Sequence, residues 1–157
     1  MVEKPQKPPE KKADKKPEKK PIKKEKVFFA TGKRKKSVAR ASMKKGNGKV
    51  TINSISLESI ENSFVKSRIN EPLQLAGSDW KGYDINVKVT GGGIKGQAEA
   101  SRQAISRALV QIFGNQLKKT FLNYDKYLLV YDPRRTEPHK PPRSSQGPRR
   151  YKQRSKR

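Results

Sequence analysis

The sequence predicts an α+β protein in which helices cover one face of a β-sheet. Residues 37–44 and 83–90 alternate apolar and polar side chains as strands do, and an apolar stripe of helical period follows the second segment. Nearly all large apolar side chains lie within residues 27–131, a length that suits one modest core. We therefore expect a globular body at 27–131, a disordered Lys/Pro/Glu-rich extension at 1–26 and an extended basic arm at 132–157.

The body is predicted to begin with three strands. A short strand at residues 27–30 comes first, and in the strand at 37–44 the odd-numbered residues from 39 to 43 share an apolar face. The sequence Gly-Asn-Gly at 46–48 accepts positive φ angles and is typical of a hairpin turn. The strand at 49–53 is therefore expected to pair back onto its predecessor.

A helical region and another strand follow. Apolar residues recur at helical spacing from Leu57 to Val65, and Asn70 is expected to cap a second short helix with Pro72 in its first turn. The strand at 83–90 then ends at the three glycines of residues 91–93.

The clearest helix starts near Gln97 and stops at Gly114. Four residues are expected on its polar side: Arg102, Gln103, Ser106 and Arg107. A further turn at 116–122 and a buried strand at 127–131 complete the predicted body.

The composition excludes several classes of function. There is no Cys, so disulfides and thiolate metal sites are excluded, and the lone His139 lies in the Pro-rich arm. The seven acidic residues of the body form no obvious pair for general acid–base catalysis. We therefore predict no enzyme, no metal and no cofactor. No apolar run is long enough to cross a bilayer and none follows Met1 as in a signal peptide, so we expect a cytoplasmic protein.

A formal net charge of +25 indicates a polyanionic partner, and nucleic acid is the natural one. The strongest local signal is a run of four cations, which we expect in a loop that exposes all of them: Lys33, Arg34, Lys35 and Lys36. Arg40 continues on the outward face of the next strand. This arrangement suits a phosphate backbone.

The segment GGGIKGQ at residues 91–97 allows two interpretations. A glycine run between a strand and a helix can hold a phosphate through free backbone N–H groups, here with Gly92, Gly93 and Lys95. The same glycines can instead permit a tight crossing between strand and helix. The Gly-Lys-Ser/Thr ending of a nucleotide-binding P-loop is missing, so we expect no nucleotide site.

The arm is rich in Arg, whereas the extension uses only Lys as its cation. Arg binds phosphate in a bidentate manner and stacks on bases, so we expect defined RNA contacts from the arm. Its candidate residues are Arg134, Arg135, Lys140, Arg143, Arg149 and Arg150, and Tyr151 could stack on a base.

Several motifs, taken together and in order, resemble the ninth protein of the small ribosomal subunit, a family found in all domains of life. They are TGKRKKSVARA, GNGKVTIN, EPLQLAG, VTGGGIKGQAEASRQAISRAL, DPRR and the final SKR, and they span about residues 27–157. The YDPRRTEPHK segment and the Lys/Pro extension look more like an archaeal member than a bacterial one.

The resemblance implies a four-stranded sheet with helices on one face and a left-handed βαβ crossover. It implies a place in the head of the small subunit, bound to ribosomal RNA, beside neighbouring head proteins. It also implies a tail that reaches the transfer RNA in the peptidyl site, with Lys156 and Arg157 at its tip.

We therefore predict a structural RNA-binding protein of the small ribosomal subunit with no membrane contact. Arg102 and Arg107 on the polar side of the long helix are added to the ribosomal-RNA candidates. The alternative is a free nucleic-acid-binding protein, chromatin-like or chaperone-like, with two basic tails.

Overall fold

The computed structural model describes residues 26–136, and predictions for residues 1–25 and 137–157 lie outside it. The strands form one mixed sheet in the order β1-β2-β5-β3-β4. Only β3 and β5 are parallel neighbours, and the other adjacent pairs are antiparallel. The strand bounds are β1 Phe28–Arg34, β2 Ser37–Lys45, β3 Val50–Ile52, β4 Ile55–Ser56 and β5 Tyr83–Thr90.

Three helices accompany the sheet: α1 Ser63–Leu75, α2 Ile94–Phe113 and α3 Asn115–Tyr124. Helix α2 packs against β1, β2 and β5, and α1 and α3 pack against α2. The predicted α+β class is confirmed. The sheet has five strands where four were expected, because the two-residue β4 pairs with the edge of β3.

The alternating patterns placed the core correctly. Every second residue of β2 and β5 is buried against α2, and the buried set includes Ala39, Ala41 and Met43 from β2 and Ile85, Val87 and Val89 from β5. Helix α2 approaches β1 closely, since a Cβ atom at Gly32 would overlap the backbone carbonyl oxygen of Ala100. The sheet therefore buries one face under α2.

The predicted hairpin around Gly46–Gly48 is wrong. Strand β2 pairs with β1 and β5, and β5 separates β2 from β3. The turn is held by a later residue, because the Asp84 carboxylate accepts hydrogen bonds from the backbone N–H groups of Asn47, at 2.9 Å, and Lys49, at 3.1 Å. The chain thus changes strand neighbours at this turn.

The first helical region was predicted too early and divided wrongly. Helix α1 begins at Ser63, where the Asn62 side chain accepts hydrogen bonds from the N–H groups of Phe64 and Val65. The helix then continues to Leu75 with Pro72 inside it, so Asn70 does not cap a second helix. Its inner face buries Ile69, Pro72 and Leu73.

The segment after α2 also differs from its prediction. The expected turn at 116–122 is part of the ten-residue helix α3. The expected strand at 127–131 is a 3₁₀ turn, Lys126–Leu128, in which Leu128 is fully buried, and irregular chain follows it. The Asp125 carboxylate caps this turn by accepting the N–H of Tyr127 at 2.9 Å.

Candidate nucleic-acid interface

Three separate segments meet at one end of the body, which we call the basic end. They are the β1–β2 turn with Lys35 and Lys36, the β5–α2 loop with the first turn of α2, and the chain at Thr136. Together they line an open depression of about 610 Å³. Lys35, Lys36 and Lys95 are exposed there, and no ion pair occupies them within residues 26–136.

Three of the four predicted cations are exposed, two of them in the β1–β2 turn. Residues 34 and 37 are paired, so only Lys35 and Lys36 form the tight turn, and Lys35 has a φ of 53°. Lys33 is exposed on β1. The prediction that the loop exposes all four cations is wrong for Arg34. Its side chain is only 19% exposed, and its Nη2 lies 3.0 Å from an Asp132 carboxylate oxygen.

The geometry of the glycine loop at residues 91–93 decides between the two interpretations, one glycine at a time. Gly91 and Gly92 have φ angles of 76° and 67°, and added Cβ atoms would collide with the Lys36 carbonyl oxygen and the Ser37 hydroxyl, respectively. The Ser37 hydroxyl also donates a 2.9 Å hydrogen bond to the Gly91 carbonyl oxygen. Close packing therefore accounts for these two glycines.

Neither crowding nor backbone conformation explains Gly93. Its φ is −109° and a Cβ atom would meet nothing within 4 Å. It precedes helix α2 without a side-chain cap, and the first turn of the helix holds no acidic residue. The first N–H groups of a helix lack intrahelical partners and carry partial positive charge. Beside Lys95, this helix start is suited to an anion.

The arm leaves the body through a clamp on Asp132. Arg34 and Arg134 both contact its carboxylate, with the Arg134 Nη2 at 2.7 Å. The hydrogen bonds from Arg134 lower the pKa of Asp132 from 3.8 to about 2. The Arg134 guanidinium also lies 5.6 Å from the ring centroid of Tyr127.

Arg135, the next residue of the arm, donates a 2.7 Å hydrogen bond to the Tyr131 hydroxyl. The first arm residues thus contact the body before the chain reaches Thr136 at the basic end.

Arg102 does not lie on a polar surface as predicted. It is 3% exposed and sits among three carboxylates. Its Nε lies 2.6 Å from Glu71, in a contact without hydrogen-bond geometry, and its Nη1 lies 2.9 Å from Asp125 and 3.4 Å from Glu99. The cluster joins α1, α2 and the end of α3. Three of the seven acidic residues of the body thus converge on one arginine, in a structural ion-pair cluster.

Tyr124 and Arg68 complete this cluster from the outside. The Tyr124 hydroxyl donates a 2.8 Å hydrogen bond to Glu71, and this bond raises the pKa of the tyrosine. Arg68 contacts both Glu71 and Glu99 at 3.3 Å. Arg102 is thus part of a cluster of acidic and basic side chains within the protein, and not the exposed arginine that the sequence suggested.

Arg107 is also engaged inside the protein. Its Nη1 and Nε donate 2.8 Å hydrogen bonds to the carbonyl oxygens of Thr31 and Leu129. One helical turn away on each side, Gln103 accepts the N–H of Lys33 and Gln111 donates to the carbonyl of Phe29. These α2 side chains form hydrogen bonds with the free backbone groups at the edge of β1. Covering the edge in this way blocks pairing with a strand of another chain.

Arg40 lies, as predicted, on the outward face of β2 and is exposed. Its neighbour Lys88 on β5 was not among the predicted candidates, although it is exposed and paired with Arg40 in register. The alternation of residues 83–90 contained the signal, since Lys88 occupies a polar position between Val87 and Val89. Seven further candidates lie outside the described residues: Lys140, Arg143, Arg149, Arg150, Tyr151, Lys156 and Arg157.

Comparison with known proteins assigns the chain to a family. The profile described as ribosomal protein S9/S16 matches residues 32–157. The chain belongs to the ribosomal protein S9/S16 family. The small ribosomal subunit protein uS9 of Methanococcus maripaludis strain C7 is 47% identical over 131 residues, which cover 83% of this chain and 98% of that relative. The uS9 protein of Methanococcus vannielii is 45% identical over the same lengths.

These relatives confirm the resemblance of the sequence to an archaeal-type S9 protein. The S9/S16 family consists of ribosomal proteins and not of enzymes, so the prediction against catalysis is confirmed. Among residues 26–136, no helix combines the length and apolar character that crossing a membrane requires.

Proposed function

We propose that this chain is a structural component of the small ribosomal subunit that binds ribosomal RNA through its basic end. One observation carries the proposal: the β1–β2 turn, the start of α2 and the exit of the arm converge on one depression. Family membership supplies the ribosomal context. The arm would continue from this depression along the RNA, so body and arm form one continuous contact.

The chemistry of the basic end favours phosphate as its ligand. Lys35, Lys36 and Lys95 are exposed there, Lys33 is exposed nearby on β1, and no carboxylate pairs with any of them in the described part of the chain. Lysine acts as a point charge and selects no base, so this surface would bind the RNA backbone with little sequence preference. Gly93 leaves room for a phosphate to approach the free N–H groups of α2.

The structure divides the remaining ribosomal-RNA candidates into those that we keep in the proposal and those that we leave out. Gly92 lines the basic end, Arg135 directly precedes Thr136 in the chain, and Arg40 lies on the outward face of β2. Arg34, Arg102, Arg107 and Arg134 are left out of the proposed surface, because their guanidinium groups contact carboxylates or carbonyl oxygens of the protein itself.

A charge-matched pair of variants tests the basic end. Replacing Lys35, Lys36 and Lys95 with Gln should weaken binding to in vitro transcribed small-subunit ribosomal RNA and lower the slope of log affinity against log salt by about 2–3. The control replaces three other exposed cations, Lys81, Lys118 and Lys119, with Gln. Equal losses in both triple variants would show only a general effect of net charge and would refute the proposal.

We further propose that the tip of the arm contacts transfer RNA in the peptidyl site, as the family resemblance implies for Lys156 and Arg157. Charge-assisted hydrogen bonds to phosphate are worth about 1.5–3 kcal/mol each before other contacts compensate. Deleting residues 155–157 should leave incorporation into subunits intact and weaken transfer-RNA binding moderately. Reconstituted subunits with unchanged peptidyl-site affinity would refute the role of the tip.

The alternative of a free nucleic-acid-binding protein makes a different prediction. A ribosomal protein should sediment with small subunits in moderate salt, whereas a chromatin-like protein should follow DNA. Neighbouring head proteins are proposed as further partners and would be recovered in the same fractions.

The left-handed crossover of the family is proposed for the unit β3–α1–β5. What supports it is that β3 and β5 are parallel neighbours connected through α1. An experimental structure showing the usual right-handed connection would contradict it.

A further inference from the structure

The second face of the sheet is open. Side chains that alternate with the buried positions of β1, β2 and β5 point away from α2, and we call their surface the open face. It carries Thr31, Arg40, Ser42, Lys44, Asn86 and Lys88, and within residues 26–136 no helix packs over it.

At the centre of the open face, two cations are direct cross-strand neighbours. Arg40 on β2 and Lys88 on β5 are paired in register, and Thr31 on β1 lies on the other side of Arg40. Directly opposed side chains of an antiparallel pair have Cβ atoms about 4.5–5.5 Å apart, and like charges in this position are destabilising. In the described residues neither cation has a carboxylate partner.

The acidic residue of this face is already engaged. Asp84, which is paired in register with Lys44, accepts hydrogen bonds from the backbone N–H groups of Asn47 and Lys49, and these bonds lower the pKa of its carboxyl. The positive charge at the centre of the open face is therefore not neutralised by the body itself.

The edge of the open face adds an aromatic ring. Phe29 on β1 is 70% exposed and is paired in register with Ser42, which in turn is paired with Asn86. A flat array of cations, hydroxyl groups and an amide beside an exposed aromatic ring suits a polyanion with stackable bases. It suits a protein partner less well, because the cores of protein interfaces are depleted of charge.

We propose that the open face is a second RNA-contact surface, on which Arg40 and Lys88 together hold the phosphate backbone and Phe29 stacks against a base. This inference rests on the proposed function, since it assigns a second surface to the same class of ligand. An anion between Arg40 and Lys88 turns their mutual repulsion into shared attraction. The surface would thus be less stable alone than on its RNA.

This arrangement gives Lys88→Glu two opposite expected effects. The variant replaces a like-charge pair with an Arg40–Glu pair, so the thermal midpoint of the free protein should rise. Its affinity for in vitro transcribed small-subunit ribosomal RNA should fall about tenfold or more, because one phosphate contact is lost and a repulsive charge is added. Arg40→Gln should lower RNA affinity in the same direction.

The matched control is Lys119→Glu, which makes the same change of charge on the exposed side of α3 in the helical layer. If Lys88→Glu binds RNA as tightly as Lys119→Glu does, the second surface is refuted. The triple variant of Lys35, Lys36 and Lys95 separates the two proposals. If it loses affinity while Lys88→Glu does not, only the open face is refuted, and if neither loses affinity, both proposals fall.

A cross-linking experiment identifies the occupant. A photoreactive benzoylphenylalanine in place of Phe29, in protein assembled into small subunits, should cross-link to RNA. Cross-linking to a protein, or to nothing, would overturn the assignment of RNA to this face.

Discussion

The buried guanidinium of Arg102 offers the sharpest test of how the body is held together. The variant Arg102→Met keeps an unbranched side chain of similar length and removes the charge. Three carboxylates would remain in place, because Glu71, Glu99 and Asp125 belong to three different segments that converge on this residue. We expect the variant to destabilise the fold and not to remove an RNA contact.

The structure sets the magnitude. Breaking a buried ion pair by removing one partner costs about 3–5 kcal/mol. The three carboxylate side chains are 19–29% exposed, and Arg68 still contacts two of them, so the low end applies. We expect a loss of about 3 kcal/mol in the free energy of unfolding, or roughly 10–20 °C in the melting temperature for a body of this size.

The assay is urea unfolding of the full chain, followed by the fluorescence of Trp80, which is the only Trp and packs against the core. The control Arg68→Met removes a guanidinium that is 38% exposed and touches the same Glu71 and Glu99. Its cost should stay below about 1 kcal/mol, as for exposed pairs. Equal costs for the two variants, or intact stability with lost RNA binding for Arg102→Met, would refute the reasoning.

Further predictions concern the glycine loop, the clamp and the edge of β1. Gly92→Ala should lower the melting temperature, because a Cβ would overlap the Ser37 hydroxyl, while Gly93→Ala should leave it unchanged; equal shifts would contradict the assignment. The folded-state pKa of Asp132 is lowered from 3.8 to about 2, so its stabilising contribution is complete above about pH 4 and is lost toward pH 2. Thermal melts of Asp132→Asn should therefore show a weaker pH dependence in that window. Arg107→Ala should cost about 1–2 kcal/mol, because the carbonyl oxygens of Thr31 and Leu129 lose their donor, and circular dichroism melts would measure it; weakened RNA binding at unchanged stability would return this residue to the proposed RNA surface.

Local periodicity in the sequence correctly predicted those elements that pack directly against one another in the core. The strand at Tyr83–Thr90 was predicted with its observed bounds, because one side of it is buried and a period of two records that burial. Helix α2 was predicted from its apolar stripe, although it begins at Ile94 and not near Gln97. The exposed lysines of the β1–β2 turn were also predicted, since a run of unpaired charges beside a strand is too costly to bury.

The apolar run at 127–131 was misassigned because an unbroken run carries no period. It can become a strand, a helix or, as here, a 3₁₀ turn that packs Leu128 into the core and continues as irregular chain. The helix predicted from Leu57 failed for a different reason. Its start is fixed by the Asn62 cap, and the apolar spacing extends across this boundary.

Only the tertiary structure decided which charges are exposed and which hold the protein together. Arg102 was expected on a polar surface because one buried stripe was assumed for α2. The helix in fact packs against the sheet on one side and against α1 and α3 on another, so its polar side is buried as well. Arg34 likewise pairs with Asp132, which lies far along the chain. Composition and periodicity established a basic α+β protein, but the pairing of charges depends on contacts between distant segments, which local patterns do not record.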